Sequence, residues 1–181
     1  MNIEKAKLVI EAVTLGVGFL GGLVALVQWR RDQSWKKAEK LDSMYKEFEG
    51  SRLIQIACRV MDWSYGKFKF PDGEEIRFLT ADVLESLMVH GNEELTFTAT
   101  QTRMRDSYDA LLAFFLRLYT AIDGGLVDRK AAAKLFGYWV EHFAVMPEHD
   151  CPAASRAYVA AYSDLVAFED LLFLLTGKLL K

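Results

Sequence analysis

The sequence predicts a mainly α-helical protein in which an N-terminal transmembrane helix continues into a cytosolic helical bundle. One short β-hairpin, or an ordered loop in its place, is expected near residues 67–78. Three observations carry this. No charged residue occurs from Ala12 to Gln28, and Leu8, Val9 and Ile10 extend that apolar stretch. Beyond it, apolar residues recur at helical spacing in segments separated by Gly, Pro and Asn. Only FKFPDGEEIRF, residues 68–78, alternates at the period of a strand.

Taken in order, residues 1–7 read as a short extracytoplasmic tail, 8–29 as the span and 30–181 as the cytosolic domain. Leu8 to Trp29 would cover roughly 30 Å at the α-helical rise, the thickness of a hydrocarbon core. Arg30, Arg31, Lys36, Lys37 and Lys40 follow the span while only Lys5 and Lys7 precede it. Positive charge stays inside, so the expected topology is single-pass in a bacterial inner membrane with the N-terminus outside. Around this helix Glu11, Thr14, Gly18, Gly21, Ala25 and Gln28 fall on one small and polar stripe, and Gly18-x-x-x-Gly22 adds a small-xxx-small pair. Ile10, Val13, Val17, Leu20, Val24 and Val27 make an aliphatic stripe. That division predicts a homo-oligomer, and in its sharper form a pore with Glu11 and Gln28 as polar rings.

The helix is expected to continue to about Phe48, because neither Gly nor Pro interrupts Arg30–Phe48, with Leu41, Met44, Tyr45 and Phe48 on its apolar face. A second helix is expected over Ser51–Ser64, with Leu53, Ile56, Ala57, Val60 and Met61 inward. After the Pro71-Asp72-Gly73 turn, Thr80 reads as the N-cap of a short helix ending near Val89, and His90-Gly91-Asn92 as its stop. A long helix follows from about Thr100 to Ile122 and ends at Asp123-Gly124-Gly125. Another covers Asp128–Val145 with Ala132, Phe136, Trp139 and Phe143 inward. In the last, Ala153–Leu180, the stripe Tyr158, Ala161, Leu165, Phe168, Leu172 and Leu175 reads either as bundle core or as a coiled-coil seam between subunits.

Composition limits the functions available. A formal charge of −3 excludes a surface built as a polycation for nucleic acid. Two cysteines, Cys58 and Cys151, without regular spacing, do not form a disulfide framework. There is no phosphate loop, dinucleotide fingerprint, HExxH or nucleophile elbow, so no catalytic residue is assigned, and no metal or cofactor. His149-Asp150-Cys151 reads as a loop turn, His142 as a satisfied packing histidine and His90 as a helix-terminal cation. The one cluster with a ligand's chemistry is Gln101, Arg103 and Arg105 at the start of the long helix, where an anion such as a nucleotide or oligonucleotide regulator would be attracted.

The blocks WKKAEKLDSMYKEF (35–48), MDWSYGKFKFP (61–71) and YDALLAFFLRLYTAIDGGLVDRKAAAKLFGYWVEHF (108–143), with Tyr138-Trp139 as an aromatic pair, resemble those of uncharacterised DUF4760-like bacterial membrane proteins. The build is also similar to membrane effectors of anti-phage defence, including the Hailong type. What that resemblance implies is an oligomeric, ligand-gated ion channel that perturbs the inner membrane. The competing expectation is a membrane-tethered module that conducts nothing and recruits a cytosolic partner. Neither is an enzyme.

Overall fold

A computed structural model describes residues 3–63, 66–87, 96–145, 157–158, 161–162 and 167–178; within these, the side chains of 3–14, 63, 80 and 143–145 are outside the description. The described chain is mainly α-helical. Its elements are α1 (Ile3–Gly50), α2 (Arg52–Trp63), β1 (Gly66–Lys69), β2 (Glu75–Phe78), α3 (Thr80–Ser86), α4 (Ala99–Asp123), α5 (Arg129–Val145) and α6 (Phe168–Thr176). Two compact units divide it, residues 1–39 and residues 40–181.

The first unit is the N-terminal part of α1. Among the described residues no helix is long and apolar enough to cross a membrane, which overturns the expected transmembrane helix. Within the described side chains the uncharged run is Leu15 to Trp29, roughly 22 Å at the helical rise and short of the ~30 Å of a hydrocarbon core. Gly16, Gly18, Gly21 and Gly22 contribute no apolar side chain to it, and Arg30, Arg31 and Asp32 close it. The part of the expected span before Leu15 lies outside the described side chains.

The second unit is built around α4. Its apolar positions Met104, Tyr108, Leu111, Phe114, Phe115 and Leu118 are all buried, and α2, α3 and α6 pack against it. The end of α1 supplies Leu41, Met44 and Phe48 to the same core. Phe48 meets Phe114 at 5.2 Å and Phe136 at 5.4 Å between ring centroids, with Phe114 and Phe136 5.3 Å apart, so three helices share one aromatic cluster. The tilted and edge-on geometries are those that ring quadrupoles favour.

The strands pair antiparallel, with Phe68 opposite Ile76 and Gly66 opposite Phe78. Phe70 N–H donates to Glu74 O and Gly73 N–H to Phe70 O, closing the turn, and Gly73 takes φ +88°, a region costly for a side chain. Phe68, Phe70 and Phe78 are buried beneath the hairpin. Arg52 Nε donates to Lys69 O at 2.6 Å and fastens α2 to β1.

Helix ends follow side-chain chemistry. Thr98 caps α4 in a reciprocal box: Gln101 N–H donates to Thr98 Oγ1 at 3.2 Å, and Thr98 N–H to Gln101 Oε1 at 2.8 Å. Leu79, not Thr80, is the N-cap of α3, because Asp82 accepts the Leu79 N–H at 2.9 Å. His90-Gly91-Asn92, the expected stop of that helix, lies outside the described residues. Asp128 accepts from Ala131 N–H at 2.8 Å and starts α5. Before α6, Ala167 stands in the left-handed region at φ 47°, so α6 starts at Phe168 as a separate element.

Candidate functional site

The described surface has one feature out of proportion to the rest. From Leu15 to Trp29 every residue of α1 is exposed, including Leu15 at 76%, Phe19 at 69% and Val24 at 61%. Leu20, Leu23, Leu26, Val27 and Trp29 belong to the same run. Apolar surface of this extent on one element marks a place where something else packs, and a helix apolar around its circumference is normally an interior helix.

The glycines sharpen the point. Glycine in mid-helix costs roughly 0.5–1 kcal/mol relative to alanine, yet a Cβ at Gly16, Gly18, Gly21 or Gly22 would meet nothing within 4 Å. Within this chain these positions gain no close approach from having no side chain. Of the stripe grouped from sequence, Gly18, Gly21, Gly22, Ala25 and Gln28 are exposed, whereas the Glu11 and Thr14 side chains lie outside the description.

The second grouping, Gln101, Arg103 and Arg105, is not brought together as an anion site. Gln101 is spent on the α4 cap and on Glu85, whose Oε2 accepts from its Nε2 at 2.7 Å. Arg103 Nη2 lies 2.7 Å from Asp72 Oδ2 and 2.8 Å from Glu74 Oε2, with its guanidinium 5.3 Å from the centre of the Phe70 ring. The hydrogen bond from Arg103 holds the Asp72 carboxyl below its ordinary range, helped by the Glu74 N–H. A shallow cleft of about 340 Å³, lined by Leu53, Phe70, Pro71, Asp72, Arg103 and Asp106, opens beside it. An incoming phosphate would meet three carboxylates around one guanidinium. Arg105 faces elsewhere: its Nη1 donates to Ser86 O at 2.8 Å, its Nη2 to Tyr162 Oη at 3.3 Å, and it stacks 4.4 Å from the Phe97 ring and 4.9 Å from that of Tyr158. It is a structural clamp.

The third grouping is divided. Tyr158, Phe168 and Leu172 are buried within the single chain, so this part of the expected subunit seam is core. Leu175 is partly buried, Ala161 is exposed and Leu165 lies outside the described residues. Tyr158 Oη donates to Asp109 Oδ1 at 2.6 Å, and burial first, then that hydrogen bond, pushes its phenol far above the ordinary range.

One cluster escaped the sequence. His142 of α5 is 9% exposed, and its Nε2 lies 3.4 Å from Asp62 Oδ1 of α2, yet neither ring nitrogen makes a hydrogen bond. The Tyr138 ring stacks on it at 5.4 Å and 18°, and Tyr138 Oη reaches Asp62 Oδ1 at 3.4 Å. His142 is therefore packed but not satisfied, contrary to its reading from sequence. Spacing could not reveal it, since its partner lies on a distant helix. Nearby Cys58 is buried, and desolvation, then Asp62 and Glu49, push its thiol well above the ordinary range, away from the reactive thiolate. Among the described residues no three His, Cys, Asp or Glu side chains converge to hold a metal ion. The His149-Asp150-Cys151 turn and Cys151 lie outside the description.

No known protein family matches the chain, and neither a curated protein nor a solved structure is similar to it. The resemblance to DUF4760-like membrane proteins and to Hailong-type effectors is thereby overturned. With no described membrane-crossing helix, so are the single-pass inner-membrane topology, the lipid partner, the ligand-gated pore in anti-phage defence and the membrane-tethered alternative.

Proposed function

We propose that the protein is a self-associating helical module, in which the Leu15–Trp29 segment of α1 packs against the same segment of further copies and the unit of residues 40–181 is the cargo so assembled. The observation that carries this reading is the exposed, apolar and glycine-interrupted run of α1. A second copy is the occupant because one segment carries both kinds of surface an interface needs. Leu20, Phe19 and Leu23 are knobs, and Gly18, Gly21 and Gly22 are the depressions that receive them. The protein acts in this reading by binding, with no catalytic step.

Co-purification of two differently tagged full-length copies tests the proposal. The tagged copies are expected to come down together, and Leu20→Asp with Val24→Asp to separate them while leaving the helical content of the bundle unchanged. Copies that never co-purify, or that do so equally well with both aspartates in place, would refute it.

A further inference from the structure

We infer that His142 and Asp62 form a proton-dependent latch between α5 and α2, closed when the imidazole carries a charge and slack when it does not. The latch lies wholly within the unit of residues 40–181 and owes nothing to association through α1. Only 9% of the His142 side chain is exposed, and among the described residues neither ring nitrogen has a hydrogen-bond partner. Buried polar groups are ordinarily bonded, so an orphaned ring marks a site whose partner depends on its state. In the neutral imidazole one nitrogen donates and the other accepts, and here both go unanswered. In the imidazolium both nitrogens are donors, and Nε2 then faces the Asp62 carboxylate oxygen at 3.4 Å as a charge pair. Charge gives the ring a partner that the neutral form lacks.

The surroundings of the ring are acidic or neutral. On α2, Asp62 is the charge beside it, and Cys58, one turn earlier, is a thiol that desolvation pushes far above its ordinary range and so keeps neutral. Glu49, at the end of α1, adds a negative charge felt at Cys58. On α5 itself the Tyr138 ring lies against the imidazole at 5.4 Å and 18°, where a cation meets the negative face of an aromatic ring. The Tyr138 phenol, pushed up by burial and then by Asp62, stays neutral. Glu141, the neighbour of His142 on α5, is engaged by Lys178 from beyond α6. His142 also stands in the last turn of α5, where the helix dipole complements positive charge. Burial of the charge opposes the pair, and the 30% exposure of the Asp62 side chain moderates that cost by leaving the pair at the edge of solvent.

A double-mutant cycle on the full-length chain, His142→Gln against Asp62→Asn with urea melts at pH 8 and pH 5.5, tests the latch. An imidazole ordinarily gains its charge as pH falls through about 6.5. A pair made only by the charged ring contributes stability that is present at low pH and lost as pH rises. The midpoint of the parent is expected to exceed that of His142→Gln by roughly 0.5 M more at pH 5.5 than at pH 8, and the extra gap to vanish in the Asp62→Asn background. His90 and His149 are present in every variant and cancel from the comparison. A gap that is the same at both pH values, or one that persists undiminished with Asp62→Asn, would overturn the latch. Should His142→Gln fail to fold, NMR of the parent decides between the same outcomes. A His142 ring that charges together with a shift of the Asp62 carboxyl carbon supports the latch. A ring that stays neutral to pH 5.5, or charges with no response at Asp62, overturns it.

Discussion

Replacing Phe48 by alanine should be among the most destabilising single changes in the 40–181 unit. Phe48 is 1% exposed and lies within 5.2–6.2 Å, between ring centroids, of Phe114, Phe136 and Trp139. Truncating a buried phenylalanine costs about 3–5 kcal/mol through lost transfer energy and the cavity left behind. Aromatic pairs add roughly 0.5–1.5 kcal/mol beyond buried area, and here three partners are lost together. The helix-propensity gain of alanine returns about 0.5 kcal/mol. The expected loss is therefore about 4 kcal/mol, a large part of the 5–15 kcal/mol typical of a domain. With a urea dependence of about 2 kcal/mol per molar, the unfolding midpoint should fall by roughly 2 M, followed by circular dichroism and tryptophan fluorescence. Phe48→Leu, which leaves a smaller void, should lose about 1–2 kcal/mol. A loss under about 1 kcal/mol for Phe48→Ala would mean that α1 does not contribute to the shared aromatic cluster as described.

Further outcomes follow from the same geometry. The Asp72 carboxyl is held low by Arg103, so its contribution to stability is present above the unfolded carboxylate value of about 3.9 and is lost as pH falls through the lower folded value. Arg103→Ala should move the Asp72 titration, read by carbon NMR, back up into the ordinary range and flatten the acid limb of stability. Cys58, buried and with its thiol pushed up, should resist an aromatic disulfide reagent at neutral pH in a Cys151→Ser background and react fully in urea; fast native labelling would contradict its placement. Thr98→Ala, which breaks the α4 capping box, should cost about 1 kcal/mol in urea melts. Gly125→Ala should cost about 1–2 kcal/mol because Gly125 sits at φ +67°.

Local chemistry was legible and partners were not. The alternation of Phe68, Phe70, Ile76 and Phe78 around Pro71-Asp72-Gly73 is the hairpin, because a period of two and a turn residue act over a few positions. The inward positions Ile56, Ala57, Val60 and Met61 of α2 followed from helical spacing alone. Arg103 shows its charge in the sequence but not Asp72 and Glu74, which reach it from the hairpin and remove its appeal to an anion. The 3-4 spacing of Tyr158, Phe168 and Leu172 describes a buried face without saying which surface buries it, and the chain's own core does so. His142 and Asp62 are joined only by the packing of α5 on α2. The reading of residues 8–29 as a span rested on the absence of charge, and no described helix is long and apolar enough to bear it out.

Sedimentation equilibrium of the purified full-length chain, beside its Val24→Asp variant, tests the central claim most directly. Self-association through α1 predicts a concentration-dependent mass at multiples of the 20.6 kDa chain, with the variant shifted toward one copy. A parent protein that sediments as a single copy at all concentrations, with an identical variant, would contradict it.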